Sequence, residues 1–119
     1  MGHVNNANHF TYIELARVTY FEEVIAEKFE WSKQGIILAK VVMDYKMPIL
    51  IRDNVAVYTS VIRFGTKSFE MSNRIVKQTN TGDIDLAIAS TVLVCFDYTT
   101  NKTIEIPEVW RKKIEEFEK

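Results

Sequence analysis

A chain of 119 residues, 47% hydrophobic and 26% charged, has the size and balance of one globular domain spanning residues 1–119. That composition excludes disorder, a collagen-like repeat and a coiled coil. A mean hydropathy of −0.08, with no apolar run near the roughly 20 residues of a bilayer span, argues against a transmembrane helix. Fifteen Lys plus Arg against sixteen Asp plus Glu leave a net charge of −1, so no general affinity for nucleic acid or an acidic membrane is expected.

Residues 6–30 predict a long helix. The stretch NANHFTYIELARVTYFEEVIAEKFE holds no Gly or Pro. Asn5 or Asn6 is a suitable N-cap, because its side-chain oxygen can accept an orphan backbone N–H. Apolar residues surround most of the girth (Phe10, Tyr12, Ile13, Leu15, Ala16, Val18, Tyr20, Phe21, Val24, Ile25). A surface helix carries one stripe, so this helix is expected to be wrapped on several sides.

From residue 36 the period becomes two. Ile37, Ala39, Val41, Met43 and Tyr45 are expected on one face, with Lys40, Asp44 and Lys46 on the other. Pro48 closes that strand, and Arg52-Asp53-Asn54 is a turn signal. Residues 55–64 are β-branched and aromatic, hence a strand. Gly65-Thr66-Lys67 turns the chain into a strand in which Phe69, Met71 and Ile75 alternate with Glu70, Ser72 and Arg74. Asn80-Thr81-Gly82-Asp83 marks a hairpin turn. Residues 86–96 are almost uninterruptedly apolar and predict a central strand buried on both faces. A short polar helix is expected over residues 109–118.

The order is one long helix, about four long antiparallel strands, and a small tail helix. That is an α+β domain whose sheet curves around the first helix. Long strand edges invite pairing between copies, so a homodimer or homotetramer is expected. The single cysteine, Cys95, excludes an internal disulfide and fits a reducing compartment. The start MGHVNN lacks the basic and apolar regions of a secretory signal. Together these read as a cytoplasmic protein.

Chemistry concentrates at the head of the first helix, in Gly2-His3-Val4-Asn5-Asn6-Ala7-Asn8-His9. A helix N-terminus presents unpaired N–H groups and a positive dipole end, which polarise a carbonyl and stabilise an oxyanion. A histidine one turn ahead can orient a water or move a proton. On spacing alone, a capped helix with two surface histidines explains the same residues. His3 and His9 lack the i, i+4 spacing of a zinc pair on one helix face, so no metal is expected.

The segment GHVNNANHFTYIELAR resembles the signature of the hotdog-fold thioesterases of the 4-hydroxybenzoyl-CoA thioesterase and acyl-CoA thioester hydrolase family. It is also similar to the catalytic segment of acyl-ACP thioesterases. Residues 2–7 match that signature directly, with His9 where an aromatic residue is usual. Tyr12, Glu14, Ala16 and Arg17 fit its second half. Arg52-Asp53-Asn54-Val55, Gly65-Thr66-Lys67-Ser68-Phe69, and Ile106-Pro107 with Arg111 extend the resemblance over nearly the whole chain.

The resemblance implies a hotdog fold: a central helix wrapped by a curved antiparallel sheet, dimerised through edge strands, with the active site at the subunit interface. It implies hydrolysis of an acyl-CoA or acyl-ACP thioester to free acid and thiol, with no cofactor. By resemblance, His3, Asn5, Asn6 and Glu14 are the catalytic candidates. Gly2 and Val4 would line the carbonyl site. Lys67 and Ser68, flanked by Arg63 and Arg74, would meet the coenzyme A phosphates.

The family also implies a first strand carrying a catalytic Asp just before the glycine. This chain begins at Met1, so that strand and its Asp are expected to be missing. Either Met1 is internal to a longer natural protein or the start is misassigned; with the Asp absent, the alternative function is a non-catalytic hotdog module that binds acyl thioesters. Glu14 is the nearest substitute carboxylate, although its spacing also suits an ion pair with Arg17. His9 has no matching role and reads as structural or exposed. Cys95, in the most apolar strand, reads as inert. A hotdog dehydratase is disfavoured, because its His-x-Pro-Gly pattern is not in the sequence.

Overall fold

A computed structural model describes residues 6–25 and 34–119, with side chains from His9 and from Gly35 onward in the two segments. The elements are α1 (Asn6–Val24), β1 (Gln34–Tyr45), β2 (Val55–Phe64), β3 (Ser68–Thr79), β4 (Gly82–Asp97), β5 (Lys102–Thr103) and α2 (Glu108–Phe117). The end of the long helix expected to reach residue 30 lies outside the described residues. All strand pairings are antiparallel, in the order β1-β4-β3-β2, with β5 beside β4. The architecture is the α+β arrangement expected, a curved antiparallel sheet carrying one long helix.

Cross-strand partners share a face, so the register shows which side chains meet α1. Phe69, Met71, Asn73 and Ile75 of β3 lie on the helix-bearing face and are buried. Ala87, Ala89, Thr91, Leu93 and Cys95 of β4 do the same. The opposite row of β4, from Ile88 to Phe96, is only half-buried among the described residues. The central position of β4 agrees with its apolar sequence; burial on both faces does not hold in this single chain. Among the described residues, no layer covers the second face.

β1 departs from its expected alternation. Its register skips Ala39 between Leu38 and Lys40. One extra residue inverts the alternation on one side of the bulge. Val41, Met43 and Tyr45 oppose Thr91, Ala89 and Ala87 on the helix side, while Ile37 opposes Val94 on the other. A period-two reading cannot see a bulge, because Leu38 is as apolar as its neighbours.

Two apolar clusters fill the space under α1. Ile13 packs with Ile49, Ile75, Leu86, Ala87 and Ala89 below its first half. Tyr20, Phe21 and Ile25 pack with Phe69, Met71, Leu93 and Cys95 below its second half, closed by Trp110 and Ile114 of α2. Between them runs a polar step. Thr59 Oγ1 donates to Asn73 Oδ1 at 3.1 Å, and Asn73 Nδ2 donates to Thr91 Oγ1 at 3.4 Å. These bonds satisfy groups whose burial unpaired would be costly.

α1 is not wrapped all round. Its contacts fall on β2, β3 and α2. Phe10, Leu15 and Val18 remain 44%, 59% and 46% exposed on the far side. The girth of apolar residues read from the sequence is real, but the described residues cover only one side of it.

Candidate functional site

The head of α1 begins at Asn6 and carries no acidic residue in its first turn. The first amides of any helix lack intrahelical acceptors, so this end keeps a positive potential that no carboxylate of its own first turn offsets. Gly2, His3, Val4 and Asn5 lie outside the described residues, as does the side chain of Asn6.

His9 sits in that first turn and faces inward. It shares the buried stripe of Ile13, one turn further along, and this spacing fixes its direction. The residue is 1% exposed. Neither Nδ1 nor Nε2 has a hydrogen-bond partner among the described residues. The ring stands edge-on to Tyr45, with centroids 5.0 Å apart.

His9, Tyr45, Lys46, Met47 and Pro48 line an open cleft of about 260 Å³ beside the helix head. A bulge builds its far wall. β3 and β4 skip Leu86 between the pairs Ile75–Ala87 and Val76–Asp85. The Leu86 carbonyl then accepts both the Lys46 and Met47 amides, at 2.9 and 3.1 Å. Pro48 has no amide to continue the ladder, and buried Ile49 anchors the following turn in the core. Lys46 Nζ pairs with Asp44 at 2.8 Å, and this contact raises the ammonium pKa. No carboxylate lines the cleft among the described residues.

The other expected site residues lie apart from it. Glu14 is exposed on the outer side of α1, about 12 Å along the axis from Asn6 at 1.5 Å per residue. Burial lowers the pKa of half-buried Arg17, and the charge of Glu14 partly offsets that shift. Lys67 and Ser68 occupy the turn at the opposite end of the sheet. Ser68 opposes Val94, whereas Tyr45 opposes Ala87. Those two β4 positions are seven residues apart, or about 23 Å at 3.3 Å per residue. Within one chain, the helix head and the Lys67 turn do not meet.

Nearby cations are partly engaged elsewhere. Arg74 bonds Asp85 at 2.6 Å and lies over the Tyr58 ring. Arg111 Nη2 donates to the Gly65 carbonyl at 2.7 Å and stacks on Phe64. Cys95 is fully buried, and burial pushes its thiol up to about 11, so it stays protonated and enclosed. Among the described residues, no group of three His, Cys, Asp or Glu side chains is placed to hold a metal ion, and no helix is long and apolar enough to cross a membrane.

Sequence reasoning missed His9 and the wall from Tyr45 to Pro48. The signal for His9 was present in its i, i+4 relation to Ile13. The wall carried none, because it depends on the Leu86 bulge.

Known proteins share this layout. The chain is 25% identical over 120 residues to the long-chain acyl-CoA thioesterase FadM of Escherichia coli K12, covering 98% of this chain and 88% of FadM. A thioesterase from Thermus thermophilus, solved with coenzyme A and zinc, is 31% identical, with a TM-score of 0.80. That match covers 98% of this chain and 82% of the other. The probable thioesterase YbaW of Escherichia coli matches at 25% identity and a TM-score of 0.81, covering 99% of this chain and 88% of that one. These neighbours are thioesterases of the hotdog fold. The thioesterase-like superfamily model matches residues 1–114, and with a long helix seated on a curved antiparallel sheet, the chain belongs to that superfamily.

Proposed function

We propose that this protein hydrolyses an acyl thioester of coenzyme A to a free acid and a thiol. The observation that carries the reading is the head of α1, free of acids in its first turn, whose His9 lines a cleft of about 260 Å³. Amides at a helix start supply preorganised donors for the oxygen of a tetrahedral intermediate. Residues near Val4, Asn5 and Asn6 would hold the thioester carbonyl. His3 would take a proton from the attacking water and return it to the departing sulfur. Water adds to the carbonyl carbon, the C–S bond breaks, and acid and thiol leave. FadM and the coenzyme A complex from Thermus support a coenzyme A ester over a carrier-protein ester.

The working unit in this reading is a homodimer in the cytoplasm. Phe10, Leu15 and Val18 on α1, and Leu38, Val42, Tyr45 and Met47 along the β1 edge, form exposed apolar surface suited to a second copy. Glu14 lies on that same open side of α1 and would act at the interface. Lys67 and Ser68 would then serve the coenzyme A phosphates of the other copy's cleft, which answers their distance from the helix head in one chain.

A second reading, a binding module without turnover, is favoured by one observation: the described cleft wall contains no carboxylate to serve as base or nucleophile. Thiol release from short, long and aromatic acyl-CoA esters separates the two. Release that falls roughly 10²–10⁴-fold in His3→Ala establishes the hydrolase. Tight binding of the same esters with no thiol release leaves the module.

A further inference from the structure

We infer that His9 is a specificity-determining residue, whose imidazole selects acyl groups bearing a hydroxyl or oxo oxygen close to the thioester. The inference rests on the thioester reading above and adds the chemistry of the acyl group to it.

Three observations lead there. First, His9 is enclosed and both its ring nitrogens lack partners among the described residues. Buried polar groups are nearly always satisfied, so an orphaned imidazole calls for a partner. Second, the ring forms part of the cleft wall, together with Met47 and Pro48. Lys46 is already paired with Asp44, leaving His9 as the unpaired buried polar group of that wall. Third, His9 lies in the same first turn that would hold the thioester carbonyl, three residues and about 4.5 Å along the axis from the helix start. An oxygen reaching it would sit two or three bonds from the reacting carbon.

An imidazole always offers at least one N–H, so it donates to an oxo or a hydroxyl oxygen alike. A methylene at that point would leave the ring unpaired. In the structure both nitrogens are shut off from solvent. Tyr45 packs edge-on against the ring and is itself 41% exposed.

The experiment compares kcat/KM for decanoyl-CoA, 3-hydroxydecanoyl-CoA and 3-oxodecanoyl-CoA in the wild type, His9→Phe and His9→Asn. Calorimetric binding of the corresponding thioether analogues, which cannot be hydrolysed, runs beside it. Sites built to bond a substrate oxygen reject the analogue lacking it, so the wild type is expected to prefer an oxygenated chain by about tenfold or more. His9→Phe is expected to bring that ratio to about one, and His9→Asn to restore part of it. A general folding defect lowers all three rates together and leaves the ratio unchanged. Equal ratios in the wild type and His9→Phe overturn the inference. If His9→Phe does not fold, the wild-type ratio decides, and no preference overturns it. Binding that discriminates without turnover rejects the hydrolase reading and keeps the assignment of His9. Binding that does not discriminate, or no binding at all, overturns the assignment.

Discussion

The Tyr20 hydroxyl donates to Glu118 Oε2 at 2.8 Å, joining the second half of α1 to the residue that follows α2. The same oxygen accepts the Val61 amide, beside the position where β2 carries Ile62 as an extra residue. One carboxylate therefore holds helix, tail and sheet edge together. Glu118→Ala leaves both donors without this acceptor and is expected to cost about 1–3 kcal/mol, read as a lower urea midpoint at unchanged slope. Tyr20→Phe removes one donor and keeps the acceptor's second bond, so its cost should be smaller. Additive losses in the double variant would show that the contact contributes little.

Alkaline stability should follow the enclosed acids. Burial raises the Cys95 thiol from 9.0 to about 11. Burial, and then the hydrogen bond to Glu118, raise Tyr20 above its ordinary value of 10.0. For both, the folded state favours the protonated form. Their contribution is complete below the unfolded pKa and is lost as pH rises through the folded value. Urea midpoints are expected to fall from pH 9 upward, and Cys95→Ala should flatten the part of that slope between 9 and 11. Ellman's reagent at neutral pH should label Cys95 only as the protein unfolds. Rapid labelling of the native protein would contradict its enclosure.

The uncovered side of α1 predicts self-association. Leu15 is 59% exposed, and Phe10 and Val18 are exposed on the same helix. Leu15→Glu touches no core residue but places a charge where a second copy would pack. Sedimentation is expected to show a dimer for the wild type and a larger monomer fraction for the variant, with an unchanged far-ultraviolet spectrum. A monomeric wild type would remove the dimer from the proposed function, and with it the service of Lys67 to a neighbouring cleft.

Local pattern and tertiary structure contributed different things. An uninterrupted run without Gly or Pro determines α1, and β-branched runs with turn signals at Asn54, Gly65 and Gly82 determine the strands. Both properties belong to the chain over a few residues, so they are legible without a fold. The family was legible for the same reason, since GHVNNANHFTYIELAR is contiguous. Tertiary structure decided the phase of β1, because the Ala39 bulge is fixed by its pairing with β4 and not by its own residues. It decided that His9 is enclosed, where one turn of α1 meets the end of β1. It also decided that Lys67 stands at the far end of the sheet from the helix head, since separation along the chain says nothing about separation along a folded ladder. Those relationships join residues dozens of positions apart, and only the packing of helix on sheet brings them into register.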